Sequence, residues 1–273
     1  MNADARNAVV VVPLYTTELP ALERMALAGN LRMLRRHPVA IACPAGLDLA
    51  PLGDALGPAT PAIEHFPDAC FDGVQGYNRM MLSEAFYARF EGYRHLLLCQ
   101  TDAFVFADRL ADWCAQDWDY VGAPWIASPR TPLNRALFAF NNLLRRRKKH
   151  DDYLFKVGNG GFSLRKVATM LRIVREQRAR IDGLLANPGD DDHHVEDRYF
   201  SLVAPTLLQE MRIPDYRAAV DFCMDRRPAL AMRLNHGRLP FACHGFNTRN
   251  VRDFWAPILR DALAAEDATA TSA

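Results

Sequence analysis

The stretch RHLLLCQTDAFVF (residues 94–106) contains a continuous apolar run that leads into polar residues. Runs of this kind are typical of strands that are buried on both faces of a parallel sheet. The valine-rich stretch AVVVVPLY (8–15) has the same character, and a pattern with helical spacing (18–37) separates it from another apolar run, PVAIACP (38–44). This alternation predicts an α/β protein with a mainly parallel central sheet and helices on both faces.

Weaker patterns extend this prediction along the chain. Residues 62–66 are a candidate strand, and residues 77–93 are a candidate helix. Residues 117–125 indicate a strand that leads into a turn, residues 165–186 indicate one long basic helix, and residues 239–246 form a late apolar run. Strands that alternate with helical segments in this way favour one continuous sheet.

Length and composition bound the class of protein. The chain has 273 residues, which is enough for one large domain, and we expect it over residues 1–263 with a disordered polar tail over 264–273. A formal net charge of +1 gives no reason to expect nucleic acid as a partner. The six cysteines form no CxxC pair, the N-terminus has no basic signal-peptide region, and no apolar stretch is long enough to span a membrane. These features predict a cytoplasmic protein.

Residues 126–154 stand apart from the rest of the sequence. No acidic residue occurs from Arg130 to His150, and the cluster RRRKK occupies 145–149. One interpretation is a solvated, mobile loop. The other is a basic lid over an anionic ligand, or a peripheral contact with anionic lipid headgroups at a membrane surface. Both interpretations stay open at this point.

The stretch FKVGNGGFSLRK (155–166) places three glycines and an asparagine in four successive positions. Glycine accepts a positive φ without steric cost and lets other groups approach the backbone closely. A tight turn between a strand and a helix would explain the pattern. A backbone cradle for a ligand would explain it equally well.

Two polar residues follow apolar runs in places that suit ligand binding. Asp102 ends the central run, and ligands of open parallel sheets bind at the carboxyl ends of the strands. A carboxylate there suits a divalent cation, although a turn or cap residue is the alternative. His244 follows a late apolar run and is either a hydrogen-bonded core residue or a partner of Asp102.

Two further segments place polar side chains at predicted helix starts. In DDDHHVED (190–197) the aspartates suit a helix N-terminus, whereas Glu196 and Asp197 lie one turn further on and suit a general base. In GYNRMM (76–81) the Tyr-Asn-Arg sequence suits either a phosphate or an N-cap.

Taken in order, these segments resemble a bacterial family of GT-A-like glycosyltransferase domains that is described mostly as a domain of unknown function. The matching blocks are GYNRMMLSEAFYARFEGYRHLLLCQTDAFVF, DYVGAPW, VGNGGFSLRK, VEDRYF and PFACHGF. The resemblance covers residues 8–255 and implies a single GT-A-like (Rossmann-like) domain.

The resemblance also implies roles for individual residues. Asp102 is the acidic residue kept from the family's D-x-D element, and with His244 it would bind Mn²⁺ or Mg²⁺. Gln100 and Thr101 fill the other two positions, from which Gln100 would hydrogen-bond ribose or phosphate. Asp197 would be the catalytic base, and Glu196 would orient this assembly. The other residues implied in donor binding are Pro13, Leu14, Tyr15, Tyr77, Asn78, Arg79, Gly160, Gly161 and Arg165.

The implied reaction is metal-dependent transfer of a sugar from a nucleotide-sugar, by default a UDP-sugar, to an acceptor hydroxyl. Asp197 as the base implies inversion, and a retaining outcome stays open because the fold hosts both. The acceptor would be a glycan, a lipid-linked glycan or another hydroxyl compound. Two alternatives remain open. One is a nucleotide-sugar or glycan-binding module without catalysis, which the missing first Asp of D-x-D favours, and the other is a metal-dependent phosphohydrolase.

Overall fold

The computed structural model describes residues 6–57, 61–127, 153–189, 192–249 and 251–271. The basic cluster at 145–149 and most of the expected loop over 126–154 lie outside these ranges. None of the helices within them is both long and apolar enough to cross a membrane.

The described strands form two sheets. They are β1 (Arg6–Pro13), β2 (Val39–Pro44), β3 (Ala62–Phe66), β4 (Tyr93–Cys99), β5 (Ala103–Val105), β6 (Tyr120–Pro124), β7 (Val157–Lys166), β8 (Cys223–Met224) and β9 (Ala242–His244). The main sheet has the order β3-β2-β1-β4-β7-β6, and the small sheet has the order β5-β9-β8. In the main sheet β1 to β4 are parallel, whereas β7 runs antiparallel to both β4 and β6. The mainly parallel sheet is therefore confirmed.

Helices cover both faces of the main sheet. They are α1 (Ala21–Met33), α2 (Gly53–Leu56), α3 (Gly73–Met81), α4 (Glu84–Ala88), α5 (Leu110–Ala115), α6 (Val167–Glu176), α7 (Arg178–Ala186), α8 (Glu196–Arg198), α9 (Ala204–Leu207), α10 (Tyr216–Phe222), α11 (Pro228–Leu234) and α12 (Arg252–Thr271). Short 3₁₀ helices occupy Ala50–Leu52 and Asp68–Phe71, and a π-helical turn occupies Tyr199–Val203.

Strand β1 shows how the apolar runs build two cores. Val9 and Val11 point into a cluster that includes residues of α3, α4 and α6. Val10 and Val12 point to the other face, where α1 and α5 contribute to the packing. Successive side chains of a strand face opposite sides of the sheet, so a continuous apolar run fits a strand that is covered on both faces.

Two sequence-based boundaries in the first half of the chain differ from the structure. The predicted strand 94–106 is divided between β4 and β5, which belong to different sheets. The predicted helix 77–93 is divided between α3 and α4, because Ser83 caps the second helix and its Oγ accepts a hydrogen bond from the N–H of Phe86 (3.2 Å).

The second half of the chain differs more. The predicted helix 165–186 begins at Val167 and is divided into α6 and α7. Its first two residues instead end β7, where Arg165 pairs with Leu96 of β4. Of the tail that we expected to be disordered, residues 264–271 belong to α12, which continues to Thr271 through an alanine-rich sequence with high helix propensity.

Candidate active site

A cavity of about 540 Å³ opens at the carboxyl ends of β1 and β4. This edge of an open α/β sheet is where ligands bind. Segments that are far apart in the sequence meet there. The lining residues are Pro13, Tyr15, Glu23, Cys70, Phe71, Gly73, Val74, Tyr77, Asn78, Gln100, Thr101, Asp102, Asn159, Gly160, Gly161, Val195, Glu196, Asp197 and His244.

The cavity brings together most of the predicted site residues but not all of them. Leu14 is buried in the core, and its N–H donates to the carbonyl of Ala42 (2.9 Å). Arg79 is exposed on α3 and does not line the cavity. Arg165 is fully buried, so its guanidinium cannot reach a ligand in the cavity. These three residues were predicted to contact the donor, and the structure places them elsewhere.

Asp102 and His244 meet at the cavity wall. Antiparallel pairing of β5 with β9 places Ala103 opposite His244, and this brings Nε2 of His244 to 3.2 Å from Oδ1 of Asp102. The same Nε2 lies 3.1 Å from Oε1 of Gln100. Burial alone would raise the pKa of Asp102, but the hydrogen bond and positive charge of His244 outweigh it and lower that pKa. The pKa of His244 is raised despite its burial, because Asp102 accepts its hydrogen bond.

The donor atoms of this pair fit a divalent cation. Two ligands of an octahedral ion with bonds of about 2.1 Å lie about 3 Å apart, which is close to the separation of Nε2 and Oδ1. Within the described part of the chain, no group of three or more His, Cys, Asp or Glu residues is arranged to hold a metal. Asp102 and His244 would therefore share the ion with water and ligand oxygens, as Mg²⁺ sites do.

Asp225 supports this pair and was not predicted. Its Oδ2 accepts a hydrogen bond from Nδ2 of Asn159 (2.9 Å), and its Oδ1 lies 3.9 Å from Nδ1 of His244. Burial raises the pKa of Asp225. Asp225 follows β8, and the pairing of β8 with the distant strand β9 brings Asp225 close to His244. In the sequence, β8 is visible only as a short apolar run, so this contact could not be predicted.

The glycine-rich stretch is not a turn between a strand and a helix. It lies within β7, where the pairing with β6 is irregular: Gly122 pairs with Ser163, and the next residue, Ala123, pairs with Asn159. The extra residues form a β-bulge, a feature that is common beside active sites. The bulge turns the backbone of β7 toward the cavity, and Gln100 donates its N–H to the carbonyl of Gly161 (2.9 Å).

The glycines of the bulge make room for side chains of the protein itself. A Cβ on Gly161 would collide with Nε2 of His244 and would lie 2.5 Å from Oε1 of Gln100. A Cβ on Gly160 would collide with the carboxylate of Glu196. We had expected these glycines to admit the donor sugar and the acceptor. Both glycines line the cavity, and the close approach of the donor and the acceptor to them stays a prediction.

Glu196 belongs to a buried ion pair. Its Oε2 lies 2.9 Å from Nη2 of Arg165, and its backbone N–H donates to Oδ1 of Asn78 (3.0 Å). Burial raises the pKa of Glu196, and the charge of Arg165 opposes this shift. The guanidinium also donates to the hydroxyl of Tyr87 (2.8 Å) and to the carbonyl of Gly160 (3.3 Å). Arg165 therefore connects the β7 bulge to the segment that carries Asp197.

Asp197 lines the cavity beside this ion pair. Its burial, followed by the negative charge of Glu196, raises its pKa to about 7. A carboxyl group with this pKa accepts a proton more readily than an ordinary carboxylate does, and both its charged and its neutral form are populated near neutral pH. Such a group is suited to general base catalysis.

Glu23 is a second residue that sequence reasoning missed. It lies in the first turn of α1 and lines the cavity. Oγ1 of Thr101 donates to Oε2 of Glu23 (2.6 Å), and Nδ2 of Asn247 donates to Oε1. An acidic residue in the first turn of a helix is also what the helix dipole favours, so the position of Glu23 in the sequence is no specific sign of a site.

Comparison with known proteins agrees with this architecture. The family described as "Protein of unknown function (DUF5672)" matches residues 60–244. The chain belongs to this family. No curated protein sequence matches it closely enough to be counted as a relative.

Two solved structures have a similar fold. One is the galactosyltransferase LgtC in complex with donor and acceptor sugar analogs, with a TM-score of 0.52 and 11% identity over 94% of this chain and 95% of that chain. The other is a glycosyltransferase involved in the glycosylation of the major capsid of PBCV-1, with a TM-score of 0.51 and 9% identity over 90% of this chain and 96% of that chain. The DUF5672 chain therefore has a GT-A-like fold, as expected from its sequence.

Proposed function

We propose that the protein is a glycosyltransferase that moves a sugar from a nucleotide-sugar to an acceptor hydroxyl. The observation that carries this proposal is a cavity at the carboxyl edge of the sheet. It unites a candidate cation site, Asp102 with His244, and a candidate base, Asp197, whose pKa is raised to about 7. The GT-A-like fold is consistent with this assignment but does not by itself establish an activity.

The donor would occupy the cavity with its diphosphate beside Asp102 and His244. A divalent cation bound there, Mn²⁺ or Mg²⁺, would neutralise charge on the diphosphate leaving group. Gln100 lies beside this pair and would donate a hydrogen bond from its amide to phosphate or ribose oxygens. The exposed ring of Tyr15, at the end of β1, offers a surface for the base, and a UDP-sugar is the donor to test first.

The transfer itself needs one proton acceptor. The acceptor oxygen attacks the anomeric carbon, a new C–O bond forms, and the C–O bond to the diphosphate breaks. The hydroxyl proton passes to the carboxylate of Asp197. A single displacement of this kind inverts the anomeric configuration. Arg165 holds Glu196 next to Asp197 in the chain, so Glu196 acts as a positioning residue.

Donor binding is the first step to measure. Nucleotide-sugars are tested for thermal stabilisation with and without Mn²⁺, because a ligand that binds only the folded state raises Tm. We expect one donor to raise Tm only when Mn²⁺ is present, and we expect this shift to disappear in Asp102→Asn. Asp182→Asn, which changes an exposed carboxylate on α7, is the matched control. A metal-independent shift would contradict the cation site.

Turnover distinguishes an enzyme from a binding module. With a glycan or lipid-linked acceptor, Asp197→Asn is expected to lower kcat by about 10²–10⁴-fold while donor affinity is preserved. The wild-type rate is expected to rise with pH through about 7, since the carboxylate form is the active one. Donor binding without nucleotide release from any acceptor would favour the binding module. Release of phosphate without sugar transfer would favour a phosphohydrolase.

A further inference from the structure

The carboxylate of Glu23 is held in the cavity by two loops. Thr101 follows β4 and donates to Oε2 (2.6 Å), and Asn247 follows β9 and donates to Oε1. One hydrogen bond to each oxygen fixes the plane of the carboxylate. The side chain is partly exposed and lines the same cavity as Asp102 and Gln100.

This arrangement leaves acceptor capacity on both oxygens. An ionised carboxylate can accept about four hydrogen bonds, and the two donors from the protein use one position on each oxygen. The remaining positions lie on two atoms that are joined to one carbon and are therefore a fixed, short distance apart. Hydroxyl groups on two adjacent ring carbons match this spacing, and a carboxylate binds them more strongly than a neutral acceptor does.

Glu23 lies near the residues that would bind the diphosphate of the proposed donor. Thr101, which contacts Glu23, lies between Gln100 and Asp102 in the chain, and those two residues contact His244. A carboxylate at this place lies beside the expected diphosphate without taking part in the cation pair. A nucleotide-sugar carries sugar rings on both sides of its diphosphate.

We propose that Glu23 binds a vicinal diol of the donor and thereby selects donors that have both hydroxyls. This inference rests on the proposed function, because it assigns a specificity role within the same cavity. The diol belongs either to the ribose of the nucleotide or to the transferred sugar.

The experiment compares ligands with and without the ribose diol. Isothermal titration calorimetry in the presence of Mn²⁺ measures the affinity of UDP and GDP and of their 2′,3′-dideoxy counterparts. For a ribose diol we expect wild type to bind the ribonucleotide about tenfold or more tightly than the dideoxy form, as for hydrogen bonds to a charged group. Glu23→Gln should lose most of this preference while its affinity for the dideoxy form stays unchanged.

Three variants test whether the preference for the ribonucleotide depends on the carboxylate of Glu23. Glu23→Gln keeps the shape of the side chain, and Glu23→Asp keeps its charge but moves it back by one methylene, so both should weaken the preference by different routes. Glu18→Gln removes an exposed carboxylate that does not line the cavity and should leave the preference intact. The Tm of each ligand-free variant shows that the fold is retained.

The second comparison separates the two sources of the diol. If Glu23→Gln weakens binding of the nucleotide-sugar but not of the bare nucleotide, the diol belongs to the transferred sugar. If it weakens neither, or weakens ribo and dideoxy forms equally, the diol role of Glu23 is overturned although nucleotide binding stands. If wild type binds no nucleotide and no nucleotide-sugar, the proposed function fails, and this inference fails with it.

Discussion

Arg165→Met tests the buried ion pair beneath the candidate base. The side chain of Arg165 is fully buried and meets Glu196, the hydroxyl of Tyr87 and the carbonyl of Gly160. Methionine fills much of the same volume but supplies no charge and no hydrogen-bond donor. The variant therefore leaves a buried carboxylate without its partner.

The expected loss of stability is large. Removing one partner of a buried ion pair costs about 3–5 kcal/mol, because the other charge stays buried and uncompensated. The tyrosine hydroxyl and the glycine carbonyl each lose one hydrogen bond, at about 1 kcal/mol per bond. A domain has a total stability of about 5–15 kcal/mol, so Arg165→Met should fold only marginally at neutral pH.

The pH dependence of this variant has a definite sign. Without Arg165, burial keeps Glu196 protonated in the folded state, whereas it ionises in the unfolded state near its ordinary pKa of about 4.3. The folded state then binds more protons than the unfolded state above that pH. Stability must therefore fall as pH rises, by up to about 1.4 kcal/mol per pH unit, until Glu196 ionises in the folded state as well. In wild type the charge of Arg165 opposes the effect of burial on the pKa of Glu196, so this contribution should be smaller.

Urea denaturation followed by circular dichroism measures both effects. The set comprises wild type, Arg165→Met, Glu196→Gln and the double variant at pH 5 and pH 7. The double variant should be more stable at pH 7 than Arg165→Met, since no unpaired charge remains. Arg178→Met removes an exposed partner of Asp182 and should hardly change the denaturation midpoint. A cost of under about 1 kcal/mol for Arg165→Met, or additive single and double variants, would refute the reasoning.

Two further predictions concern a glycine and a histidine. Gly161→Ala places a methyl group against His244 and Gln100, so Mn²⁺-dependent donor binding should weaken at least about tenfold. Gly46→Ala is the control: a Cβ there meets open space, and this variant should bind the donor as wild type does. His95 is fully buried, and burial lowers its pKa to about 4. As pH falls from 6.5 to 4, the unfolded chain protonates at His95 before the folded chain does, which should cost up to about 3 kcal/mol of stability. In urea denaturation, the free energy of unfolding of His95→Leu should therefore decline less steeply over this pH range than that of wild type. Equal slopes for the two proteins would contradict the role of His95.

The elements that the sequence predicted best are those whose burial is complete. The runs in β1, β2 and β4 are apolar on both faces, and this pattern has few interpretations other than a covered parallel strand. The small sheet was missed because β8 and β9 have only two and three residues, and β5 was merged with β4. Their pairing joins distant parts of the chain, and short strands carry too little periodicity to indicate it.

The residues of the candidate site also divide into those that could be predicted from the sequence and those that could not. Asp102 and His244 could be chosen from the sequence because each follows an apolar run, and Asp197 because it lies one turn beyond the aspartates that suit a helix N-terminus. The structure brings all three to one cavity. Arg165 was misassigned because a basic residue after a glycine-rich stretch suggests an anion. Its true partner, Glu196, lies on another segment, and a charge in a buried strand needs such a partner.

The buried ion pair also explains how two adjacent carboxylates take different roles. Arg165 stabilises the charged form of Glu196, whose negative charge then raises the pKa of Asp197 beyond what burial alone achieves. One carboxylate is thus held in place by the protein, and its neighbour is left able to exchange a proton in the cavity. A lone buried aspartate would depend on burial alone for this shift, and an unpaired Glu196 would become neutral and lose its influence. The guanidinium that was expected to contact the donor therefore acts through the protein, by setting the protonation of the candidate base.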